Sequence, residues 1–99
     1  MTKLRLTEQA EADLDEIWAH IAAENPDAAD RMVDAVLEGS RMHARFPSMG
    51  QNREDLRPGL RCFVVLPFVI FYRPVEDAIE VLRILHGARD LGTIITPEN

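Results

Sequence analysis

Apolar positions recur at a helical period through the first half of the chain and at a strand period through the second. Residues 2–6 alternate, with Leu4 and Leu6 on one face and Lys3 and Arg5 on the other, which predicts a short half-buried strand. Thr7 then stands where a helix N-cap belongs. Ala10, Leu14, Ile17, Trp18 and Ile21 follow at helical spacing. Glu8, Glu11, Asp13, Asp15 and Glu16 crowd the first turns, where carboxylates complement the helix dipole. The pattern predicts an amphipathic helix of about four turns.

Asn25-Pro26 punctuates the chain, since asparagine caps well and proline suits the first helical position. A second helix starts there, with Ala29, Met32, Val33, Val36, Ser40 and Ala44 as its stripe, and it closes on Arg41, Arg45 and Phe46 before Pro47. With almost no chain between them, the two helices should form an antiparallel hairpin. Residues 47–60 mix prolines, glycines and charges and read as an irregular but ordered connection, longer than most.

Three runs rich in β-branched and aromatic residues follow: Arg61 to Leu66, Pro67 to Arg73 and Ile79 to Leu85. Their short connections predict an antiparallel meander. Parity sets Cys62, Val64 and Leu66 against Arg61, Phe63 and Val65, and sets Ile79, Val81, Arg83 and Leu85 against Leu82 and Ile84. Both faces are apolar. The hairpin covers one of them, and the other is expected to stay partly open for a partner. The fold class is therefore α+β: an N-terminal strand and a two-helix antiparallel hairpin packed on one face of a four-stranded, mainly antiparallel sheet. Residues 1–99 are expected to form a single domain, as suits a chain of 99 residues.

Composition changes this picture little until charge is considered. The formal net charge is −6, which argues against a general nucleic-acid surface and so against direct DNA binding. Residues 1–50 carry five basic and ten acidic side chains, whereas residues 51–99 carry six arginines and seven acids. Every basic residue in the second half is thus arginine, suited to bidentate contacts with carboxylate or phosphate. Cys62 is the single cysteine and reads as a small buried hydrophobe in a reducing compartment. No apolar run is long enough for a membrane span and no leader pattern opens the chain, so a cytoplasmic protein is expected.

Candidate chemistry is sparse. Glu16, His20 and Glu24 share a helix side at four-residue intervals, but a second ligand pair is missing, and a solvated face explains them better than a metal. No nucleophile elbow, phosphate loop or dinucleotide fingerprint is present, so no cofactor is expected. Trp18, Phe63, Phe68, Phe71 and Tyr72 are assigned to the core, with Tyr72 notable because its hydroxyl needs a polar partner. There remain Arg61, Arg73, Arg83 and Arg89, set among apolar strands, together with His86. Either they pair internally with Glu54, Asp55, Glu80 and Asp90, or they form a cationic seam on the open face, able to receive a phosphate or a partner's carboxylates.

Strand, helical hairpin and three strands bearing DLRPGLRCF, FVIFYR and EVLRILHGARD together resemble a ParE-type toxin of the RelE/ParE superfamily over essentially the whole chain. The resemblance implies the toxin of a type II toxin-antitoxin pair, held in a hetero-oligomer by a ParD-like ribbon-helix-helix antitoxin that wraps the hairpin and the sheet. It also implies a choice of target. The ParE branch poisons DNA gyrase by binding, with no catalytic residue and no cofactor, and its toxicity depends on the C-terminal part of the chain, here residues 86–99. The RelE branch cleaves ribosome-bound mRNA with lysines, arginines and a late tyrosine. This chain has no lysine after Lys3 and no tyrosine after Tyr72, which leaves Arg61, Arg83 and His86 as a reduced set for that alternative. A non-toxic relic that only pairs with its antitoxin is a third reading. As contacts for antitoxin or target, the candidates are Arg61, Tyr72, Arg73, Val81, Arg83, Leu85, His86 and Arg89.

Overall fold

A computed structural model describes residues 3–88. Strand β1 (Lys3–Leu6) leads into helices α1 (Glu8–Ala22) and α2 (Pro26–Arg45), then a 3-10 turn (Pro47–Met49), β2 (Gln51–Asn52), β3 (Arg61–Val65), β4 (Phe68–Val75) and β5 (Ala78–His86). The sheet runs β1-β5-β4-β3-β2, antiparallel throughout except for the parallel β1/β5 pair. It has five strands rather than four, because two residues of the long connection pair with Arg61 and Cys62. Among the described residues no helix is long and apolar enough to cross a membrane.

Both helix starts follow from their caps. Asn25 Oδ1 accepts from the Ala28 amide at 3.0 Å, with Pro26 at the first position. Thr7 has two tasks. Its Oγ1 accepts from the Ala10 amide at 3.0 Å and donates to the Leu82 carbonyl at 3.1 Å, while its amide donates to the Val81 carbonyl. One side chain therefore starts α1 and carries the β1/β5 edge one residue past β1.

The main core lies between hairpin and sheet. Ala10, Ile17, Val36 and Ala44 from the helices meet Phe68, Ile70, Tyr72, Ile79, Val81 and Ile84 from the strands. Trp18 departs from the predicted stripe: it is 41 % exposed, and its indole nitrogen donates to Asp30 across the hairpin at 2.8 Å. An indole has an apolar body and a polar edge, and here the edge sets its position.

Strict alternation along β5 is broken by a bulge. Tyr72 pairs with Val81 and Phe71 with Arg83, so Leu82 has no opposite residue and the faces exchange beyond it. Ile79, Val81 and Ile84 thus face the helices, whereas Leu82 and Leu85 join Leu60, Cys62, Phe71, Val69 and Leu56 on the other side. This corrects the expectation that Val81, Arg83 and Leu85 share an open face. The far face is also less open than predicted. The segment after β2 turns back through Leu56 and Leu60 to cover Cys62 and Phe71, helped by Gly59 at φ 77°, where a side chain would be strained.

Replacing Thr7 by Ala removes a cap and a strand-edge bond together. A loss of about 1–3 kcal/mol in urea-unfolding stability is expected, larger than a cap alone provides.

Candidate functional site

Arg83 meets an acid far from it in sequence. Its Nε donates to Asp13 Oδ2 at 2.8 Å and its Nη2 to Oδ1 at 3.2 Å, a two-point contact across 70 residues. The same Oδ2 accepts the Ile84 amide at 2.9 Å, and Gln9 Nε2 donates to Oδ1 at 3.1 Å. Asp13 is only 6 % exposed. Burial alone would push its carboxyl up, but the bonds from Arg83, Ile84 and Gln9 and the charge of Arg83 together hold it below the ordinary range. The position explains the burial. β1 stops opposite Val81, so among the described residues the Ile84 amide has no strand to bond, and the carboxylate of α1 takes the place of a strand carbonyl.

Arg61 and Tyr72 form a second construction at the far end of the sheet. They are register partners, and both bind the turn after α2. Arg61 Nη1 donates to the Gly50 carbonyl at 2.8 Å and the Ser48 carbonyl at 3.3 Å. The Tyr72 hydroxyl donates to the Pro47 carbonyl at 2.7 Å and accepts from the Gly50 amide at 3.0 Å. Burial pushes the phenol up despite that amide and nearby Arg61. Tyr72 is fully buried, so the polar partner its hydroxyl requires is internal.

Arg73 bonds Glu80 with Nε at 3.0 Å and Nη2 at 2.9 Å, as the internal reading expected. His86 sets its ring edgewise to Phe68 at 5.7 Å, and its Nδ1 accepts from the Ala88 amide at 3.1 Å. Val81 lies in the main core and Leu85 on the far face. Arg89 lies outside the described residues. Arg61 stands with Tyr72 on the helix side, Arg73 follows Tyr72 onto the opposite side, and Arg83 turns to α1. The described arginines thus do not line one seam.

Cys62 is buried, and burial pushes its thiol up although Arg53 draws it down, so the side chain stays protonated. Among the described residues no three His, Cys, Asp or Glu side chains gather to hold a metal. The sequence reading missed Asp13, whose place among first-turn acids hid its long-range partner, and the exposed Met42, Phe46 and Met49.

Residues 4–91 match the family described as ParE toxin of type II toxin-antitoxin system, parDE. The chain is 40 % identical over 90 residues to Toxin ParE1 of Caulobacter vibrioides, covering 87 % of this chain and 90 % of that protein. It is 32 % identical over 93 residues to Toxin ParE3 of the same organism, covering 93 % of both. A solved structure of a chromosomal ParDE system from P. aeruginosa superposes with a TM-score of 0.73 at 29 % identity, covering 87 % of this chain and 96 % of that one.

Two predictions follow from this geometry. A carboxyl held below its ordinary value adds stability above that value, and the contribution is lost as pH falls through the lowered one. The urea midpoint of the native chain should therefore drop below about pH 4, and Asp13→Asn should lower the midpoint at pH 7 while flattening the acid limb. At Gly50 an added Cβ would meet the Tyr72 hydroxyl and lie 2.9 Å from the Cys62 carbonyl oxygen. Gly50→Ala is expected to cost about 1–3 kcal/mol in the same assay.

Proposed function

The chain belongs to the ParE toxin family of type II toxin-antitoxin systems, and from that premise we propose that it stops growth by binding DNA gyrase without catalysis. A cognate ParD-like ribbon-helix-helix antitoxin neutralises it in a hetero-oligomer in the cytoplasm. The observation that carries this reading is the engagement of its arginines. An RNase built on Arg61, Arg83 and His86 would aim guanidinium groups at the scissile phosphate. Here Arg61 bonds the Ser48 and Gly50 carbonyls, and Arg83 bonds a buried carboxylate. Diverting Arg83 would leave the buried Asp13 carboxylate without its countercharge, at a cost of about 1–3 kcal/mol, and diverting Arg61 would remove the part-buried bond to the Gly50 carbonyl.

Charge supports the same choice. A net charge of −6 opposes docking on ribosomal RNA, whereas a protein target asks only for local complementarity. No lysine after Lys3 and no tyrosine after Tyr72 offers the remaining acid-base groups.

The test is a pair of assays on the purified toxin. Gyrase supercoiling should be inhibited in proportion to toxin, and labelled message in a translating ribosome extract should remain intact. Cleavage within codons while gyrase keeps its activity would overturn the proposal.

A further inference from the structure

The largest exposed apolar side chains near one another in sequence are at the end of α2 and in the turn that follows. Met42 in the last turn of α2 and Phe46 at its C-cap are four residues apart, 42 % and 59 % exposed, and Met49, 48 % exposed, follows with its amide on the Phe46 carbonyl. Folding does not bury this stripe. Large exposed apolar groups in a cluster mark a docking surface more often than they occur by chance.

Its surroundings have the opposite charge to the whole. Residues 39–61 carry five arginines and two acids, in a chain of net charge −6. Arg41 is matched by Glu38 and Arg53 by Asp55, but Arg45, beside Phe46, has no ionic partner among the described residues. Arg61 is taken up by carbonyls of the turn that holds Met49. His43, between Met42 and Phe46 in sequence, turns inward. Its ring stacks on Phe63 at 4.0 Å, and Nδ1 lies 2.8 Å from the Gly39 carbonyl.

The adjacent sheet edge is open as well. β2 pairs only with Arg61 and Cys62, so among the described residues Phe63–Val65 has no strand on that side, and Val64 and Leu66 are 54 % and 81 % exposed.

We propose that Met42, Phe46 and Met49, flanked by Arg45, form a docking surface for an acidic segment of the antitoxin that carries apolar anchors. The assignment rests on the toxin-antitoxin reading above. Apolar side chains of the partner bury the stripe, and its carboxylates meet the Arg45 guanidinium.

The probe is the antitoxin purified from the co-expressed pair and titrated onto refolded toxin. Phe46→Ser and Arg45→Glu should each weaken binding roughly tenfold or more. Both positions are exposed, so melting temperatures should stay within about 2 °C of the native chain. The native affinity should fall with salt, and Arg45→Glu should reduce that dependence. Growth arrest by the free toxin should persist in both variants. Unchanged antitoxin affinity in both would overturn the docking surface. Unchanged affinity with lost growth arrest would assign the patch to the target and overturn the antitoxin as its occupant. A native chain that ignores the antitoxin would overturn the pairing itself, and this docking with it.

Discussion

The bond between Asp13 and the 83–84 segment of β5 is the constraint on which the arrangement of this molecule depends. β1 ends opposite Val81, yet β5 continues to His86, so beyond Val81 β1 no longer pairs with it. Thr7 accounts for the next carbonyl, and Asp13 for the Ile84 amide. A carboxylate placed there faces a desolvation cost that one amide does not offset, and the two-point contact with Arg83 supplies the rest. The bulge at Leu82 belongs to the same device. By exchanging the faces of β5 it brings Ile84 to the helices and sets Arg83 opposite Phe71, from where its guanidinium still meets Asp13 of α1.

That constraint has a functional side. One fold can serve different functions, and the side chains must decide between them. Here the arginines that interrupt the strands hold the fold together: Arg83 holds α1, Arg61 with Tyr72 holds the turn after α2, and Arg73 pairs across the β4/β5 hairpin. Surface left for partners lies elsewhere, where apolar groups remain exposed and Arg45 has no ionic partner among the described residues. An inhibitor that acts by binding can work with such a division.

Elements whose causes are local were legible in the sequence. Thr7, Asn25 and Pro26 marked the helix starts to the residue, and alternation marked the three long strands to within a few positions. Interactions between distant segments were not. Asp13 sits among five early carboxylates, and nothing in a helical pattern distinguishes the one that meets a strand 70 residues away. The bulge has no glycine to announce it, so parity assigned Val81, Arg83 and Leu85 to one face. Leu56 and Leu60 cover the far face because an irregular segment turns back, which composition alone does not reveal. Arg73 and Glu80, seven residues apart across a short turn, were both among the side chains considered for internal pairing, though alternation alone did not say which arginine takes which acid.

The account turns on whether Asp13 and Arg83 stabilise the fold jointly, and a double-mutant cycle measures that most directly. Urea unfolding of the native chain, Asp13→Ala, Arg83→Ala and the double variant gives the coupling between the two side chains. A coupling of about 1–3 kcal/mol, with the Ile84 amide losing its protection from hydrogen exchange in Asp13→Ala, is the predicted result. Additive losses with Ile84 still protected would contradict it.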